Sequence, residues 1–107
     1  MWNGKMKAVT LSYDDGVFQD IRLIEILDHY GLRGTFNINL ARQKETDTST
    51  KSGILVKHIN ACDLPKVYVH HEIAGHTDTH ANLEKLEEKE IREEIRRCHD
   101  GLQQLTG

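Results

Sequence analysis

The segment KAVTLSYDDGVFQDIRLIEILDHYG, Lys7 to Gly31, holds a strand, a turn and a helix in one reading frame. From Lys7 to Tyr13 the side chains alternate, with Val9, Leu11 and Tyr13 on one face and Ala8, Thr10 and Ser12 on the other, which predicts a β-strand. From Val17 to Tyr30 the period changes. Val17, Ile21, Ile24 and Leu27 recur at three- and four-residue steps, Leu23 and Ile26 widen the stripe, and Gly31 stands where a left-handed helix cap is wanted. Between the two lies Asp14-Asp15-Gly16. Neighbours in an extended strand point to opposite faces, so both carboxylates can serve one cleft only if the backbone turns at Asp15, which Gly16 eases.

The pattern then repeats. Gly34 to Leu40 alternates Phe36, Ile38 and Leu40 against Thr35, Asn37 and Asn39, predicting a second strand. Ala41 to Ser52 is polar without period and is expected as an exposed loop. Ile54 to Cys62 is expected as a short helix stopped by Pro65. Val67 to Ala74 predicts a third strand leaving through GHTDTH. Asn82 then caps a long helix whose stripe is Leu83, Leu86, Ile91, Ile95, Cys98, Leu102 and Leu105. The charged face of that helix, with Glu88–Arg92 and Glu93–Arg97 pairs, is assigned to solvation and helix support. Strand and helix alternation implies parallel pairing, hence an α/β fold of layered or barrel type.

The 107 residues, 37% hydrophobic and 29% charged with net charge −3, suit one domain, residues 1–107, with one core. Charges of both signs are mixed and form no basic stripe, which argues against nucleic acid, and no apolar run approaches a membrane span. No targeting signal is visible, so the default compartment is cytoplasmic. Cys62 and Cys98 are expected as free thiols.

Parallel α/β folds gather ligands at the carboxyl ends of their strands. There this chain places Asp14 and Asp15 in one turn and His76 and His80 in another. The His-x-x-x-His spacing would bring two imidazoles together on one side of a helical turn. A carboxylate from the other strand end makes a third ligand, leaving an open position on a divalent ion. One Asp of the pair would then bind the cation while the other takes a proton from water. His29, His58 and His99 are expected at the surface, and His70 and His71 in structural roles beside the third strand. Asp78 can accept a hydrogen bond from the loop or an imidazole, or face solvent. Asn37 and Asn39 can line the cleft, although hydrogen bonds between strands are the stronger expectation.

AVTLSYDDG, GTFNIN and HEIAGHTDTH, in this order, resemble the first half of the polysaccharide deacetylase family, the NodB homology domain or carbohydrate esterase family 4; the usual Phe before the Asp pair is Tyr13 here. The resemblance implies a (β/α) barrel, of which about three βα units are present, and metal-dependent removal of N-acetyl groups from amino-sugar polymers or oligomers. It implies Asp14 as general base, and Asp15, His76 and His80 as ligands of Zn²⁺ or another divalent ion. The partner would be an N-acetylated carbohydrate. The family often works at or outside the cell envelope. Its later arginine-proline-glycine and leucine-histidine motifs, which orient the base and supply the acid, do not precede Gly107. The sequence therefore reads as part of a longer product, or as a half-barrel completed by self-association. The alternatives are a non-catalytic metal- or glycan-binding half-domain, or a metal hydrolase of another amide or ester.

Overall fold

A computed structural model describes residues 2–107. Its centre is a parallel sheet in the order β1 (Ser12–Asp14), β2 (Thr35–Ile38), β5 (Glu72–Gly75). Between the strands run α1 (Gln19–His29), an antiparallel hairpin of β3 (Thr48–Lys51) and β4 (Ile54–Lys57), and the short α2 (Leu64–Val67); α3 (Glu88–Thr106) closes the chain. No helix is long and apolar enough to cross a membrane among the described residues.

β2 is the middle strand, and its Phe36 and Ile38 are fully buried. Ile24 and Leu27 of α1, Leu64 and Tyr68 around α2, and Cys98 and Leu102 of α3 complete the core with Ile59. Phe36 packs at a tilt against Tyr68, 4.7 Å between ring centroids, and stacks on Tyr13 at 5.4 Å. Gly101 lies against Leu40, and any side chain there would overlap it, so α3 approaches the 3₁₀ turn that follows β2.

Several boundaries differ from the sequence reading. The first strand begins at Ser12 rather than Lys7, because its ladder partner starts at Thr35; residues that would face Lys7 to Thr10 belong to the α1 cap and its exit, and Val9 is exposed. Gly31 caps α1 with φ 66°, as the sequence predicts. The expected loop at 41–52 and helix at 54–62 are in fact a 3₁₀ turn and the β3–β4 hairpin, whose Ser52-Gly53 corner has positive φ at both residues. Pro65 does not stop a helix but opens α2, in a first turn that needs no donor from it. That places Val67 in a helix and shortens the third strand to Glu72–Gly75. Asn82 caps a separate 3₁₀ turn through Glu84 N–H, and Leu86 is extended. α3 therefore starts at Glu88, held by a capping box between Glu87 and Glu90. Both Glu–Arg pairs form, at 2.7 Å for Glu88–Arg92 and 2.8 Å for Glu93–Arg97. Cys62 and Cys98 are free.

Candidate metal centre

β1 delivers its turn, and β5 its exit loop, to the same end of the sheet. Asp15 takes φ 80° and Gly16 φ 65°, so the backbone reverses where the paired carboxylates require it. A Cβ on Gly16 would meet the Gln43 amide at 2.6 Å and Ile38 Cδ1 at 2.9 Å, leaving no room for a side chain. The turn is braced from behind. Phe18 N–H donates to Lys57 O and Ile59 N–H to Gly16 O, both at 2.9 Å, which folds the β4 exit over it. This buries His58, expected at the surface, with Nδ1 at 2.7 Å from Asp47 O.

The two imidazoles meet by a route the sequence reading did not contain. His76 to His80 is an irregular loop, not a helical turn, and Thr77 (φ 63°) and His80 (φ 61°) are both left-handed. A β-branched residue there is strained by roughly 1–3 kcal/mol, so surrounding contacts must hold it. They do so densely. Asn39 Nδ2 donates to His76 O and to Thr77 O, the latter at 3.2 Å, while Ala41 N–H donates to Asp78 O at 3.0 Å. From α3, the Glu94 carboxylate accepts from Asp78 N–H, Thr79 N–H and Thr79 Oγ1 at 3.0, 2.9 and 2.8 Å. Burial pushes the Glu94 carboxyl up, but the donors from Thr79 and Asp78 outweigh it and leave it below the usual carboxylate range.

The convergence is close. His80 Nε2 lies 3.5 Å and His76 Nε2 3.7 Å from Asp15 Oδ1, and the ligand atoms of the three residues all fall within 4.8 Å of one another. Asp15 Oδ1 is buried and has no hydrogen-bond partner among the described residues. A buried carboxylate oxygen without a donor is costly, whereas a cation would satisfy it. Ligands at zinc's usual 2.0–2.1 Å in a tetrahedral shell stand roughly 3.3–3.4 Å apart, so the two Asp15–His separations need to close by only a few tenths of an ångström. One carboxylate and two imidazoles are a donor set suited to a divalent transition ion, and these residues fit one. Side-chain exposures of 29%, 35% and 49% for Asp15, His76 and His80 leave the cluster open on its outer side.

Asp14 stands beside this cluster. Asn37 Nδ2 donates to its Oδ1 at 2.8 Å, and its Oδ2 lies 3.9 Å from His76 Nε2. Asn37 thus bonds between strands, as expected, and in doing so orients the second carboxylate. Asn39 is buried and spends its amide on the His76 loop instead. Asp78 accepts from Ala41 N–H at 3.2 Å, not from an imidazole.

Two contributors escaped the sequence reading. Gln43 donates to Asp15 O at 2.8 Å from a stretch read as loop. Glu94 belongs by sequence to the charged run of α3, yet it is half-buried and follows Ile91 by three residues and precedes Cys98 by four. A charge inside the apolar stripe was the available signal.

An open His–His–Asp cluster on the carboxyl ends of a parallel α/β sheet, with the Asp14 carboxylate alongside, has the donor set of a candidate divalent-cation site. Residues 3–107 match the polysaccharide deacetylase family, and the chain belongs to that family, in keeping with the resemblance of its AVTLSYDDG, GTFNIN and HEIAGHTDTH stretches. No curated protein and no solved structure matches the chain.

Proposed function

We propose that this chain carries the metal site and general base of a hydrolase that removes N-acetyl groups from amino-sugar polymers or oligomers. Family membership supports a deacetylase function, and the observation that carries the finer reading is the buried, partnerless Asp15 Oδ1 facing two imidazole nitrogens. Asp15, His76 and His80 would hold a divalent ion, Zn²⁺ by donor chemistry. When bound, such an ion polarises an acetyl carbonyl and lowers the pKa of a water toward neutrality.

The chain's own residues do the rest. Asn37 fixes Asp14 through Oδ1, so Oδ2 is the atom turned toward the cluster and the one that takes the proton of the attacking water. The proton for the departing amine would come from the acid that the family carries on its later leucine-histidine motif, with Asp14 serving as the base. The products are acetate and a free amino sugar.

The same reading places the three parallel strands at the start of a (β/α) barrel. β1 and β5 each have a ladder neighbour on one side only among the described residues, and a groove of about 590 Å³ lies between β5 and α3, lined by Ile73, Leu83, Ile95 and Leu102. Further barrel elements would cover it, from the same polypeptide or from a second copy. Sedimentation that stays monomeric at every concentration would exclude the second copy.

Acetate release from N-acetylated oligosaccharides, measured with and without chelator, tests the activity. Release that stops with chelator and returns with Zn²⁺ is expected. Zinc binding without release would point to a binding module instead, and release indifferent to chelator would contradict the metal-dependent reading.

A further inference from the structure

We propose that Glu94 of α3 is a positioning residue that holds the His76–His80 loop in its cation-binding shape; this rests on the metal site proposed above. The carboxylate reaches across from a different element and takes both backbone N–H groups at the middle of the loop, Asp78 and Thr79, together with the Thr79 hydroxyl. Those two residues lie between the left-handed Thr77 and His80, the conformations that turn both imidazoles toward Asp15. For the β-branched Thr77 in particular, an isolated HTDTH segment would not favour that conformation.

The other anchors of the loop come from the far side. Asn39 holds the carbonyls of His76 and Thr77, and Ala41 that of Asp78. These fix the carbonyls of His76 to Asp78, whereas Glu94 satisfies the Asp78 and Thr79 N–H groups that precede His80. Without Glu94 the Asp78 and Thr79 N–H groups would turn to water and the segment could relax out of the left-handed region. His80 would then sample positions away from Asp15 Oδ1. Groups that orient metal ligands from outside the coordination shell commonly contribute about 10–100-fold in affinity, and Glu94 belongs in that range.

The test is Zn²⁺ affinity of the full chain by competition with a chromophoric chelator, with the visible spectrum of the Co²⁺ form as a second readout. Glu94→Ala should weaken Zn²⁺ by about 10-fold or more and change the Co²⁺ band intensities. Glu94→Gln, which keeps one acceptor oxygen, should recover part of the loss. Glu88→Ala removes the same charge from an exposed position of the same helix and should match the parent. Equal affinity and spectrum in Glu94→Ala and Glu88→Ala would overturn the proposal while leaving the metal site standing. A parent that takes up no Zn²⁺ would overturn the site itself, and the proposal with it. Should Glu94→Ala lose its helical circular dichroism, Glu94→Gln decides, and parent-like affinity there is the contrary result.

Discussion

The two ends of the sheet each carry histidine beside aspartate, and they are built to opposite ends. At the amino end, His71 has its side chain fully buried. Gly34 N–H donates to its Nδ1 at 3.1 Å, which puts the ring proton on Nε2, and that N–H donates to Asp28 Oδ1 at 2.8 Å. Every polar atom of this ring is satisfied within the protein. At the carboxyl end, His76 and His80 aim Nε2 at a carboxylate oxygen from 3.7 and 3.5 Å, beyond good hydrogen-bond distance, and that oxygen has no donor among the described residues. The same residue types make a strut where their lone pairs are used and a site where they are not. On the function proposed above, the unused valence beside two imidazoles, rather than the presence of histidine and aspartate, is what separates the two ends.

That contrast can be broken most forcefully at Asp14. Asp14→Asn should lower turnover by about 10²–10⁴-fold in any active form while Zn²⁺ content stays at the parent level, since Asp14 lies beside the cluster rather than in it. Substantial activity in this variant would remove Asp14 from the role of base. His80→Ala should weaken Zn²⁺ by more than about 100-fold, the upper end of what losing an outer partner costs, and elemental analysis after dialysis reads the result. The mirror-image variant, His71→Ala, should leave Zn²⁺ content unchanged and reduce folding stability by about 2 kcal/mol, because it strands the buried Gly34 N–H and opens the packing of the ring on Phe36. If His71→Ala lost metal, or His80→Ala lost only stability, the distinction between strut and site would fail.

The smallest effect is a titration. Burial pushes the Asp20 carboxyl up to about 6, despite the hydrogen bond it accepts from Tyr68 Oη at 2.7 Å. A carboxyl raised above its unfolded value of 3.8 supports folding fully below pH 4 and loses that support as pH rises toward 6. Asp20→Asn removes the dependence, so its stability relative to the parent should increase between pH 4 and pH 7, on the order of 1–2 kcal/mol. Urea denaturation at the two pH values checks this. Parallel profiles would mean that Asp20 is not the titrating group.

How much of this could be read beforehand followed from how much each segment buries. α1 and β2 were legible because Ile24, Leu27, Phe36 and Ile38 enter one core with a regular period. The β3–β4 hairpin was not. Its strands are exposed at most positions, Ile54 and Leu55 included, so no alternation was imposed on it, and only the Ser52-Gly53 corner gave a sign. The deacetylase motifs pointed to the site because strand ends and residue types are properties of sequence. The loop that joins His76 to His80 was hidden, since its left-handed residues are held by Asn39, Ala41 and Glu94, none of them adjacent to it in the chain. Glu94 itself looked like one more charge among many on α3.

The most direct test of the central claim is a calorimetric titration of the full chain with Zn²⁺ at neutral pH, paired with Asp15→Ala. One ion per chain in the parent and loss of that binding in Asp15→Ala is the predicted result. A parent that binds no ion, or an Asp15→Ala variant that binds as tightly, would contradict it.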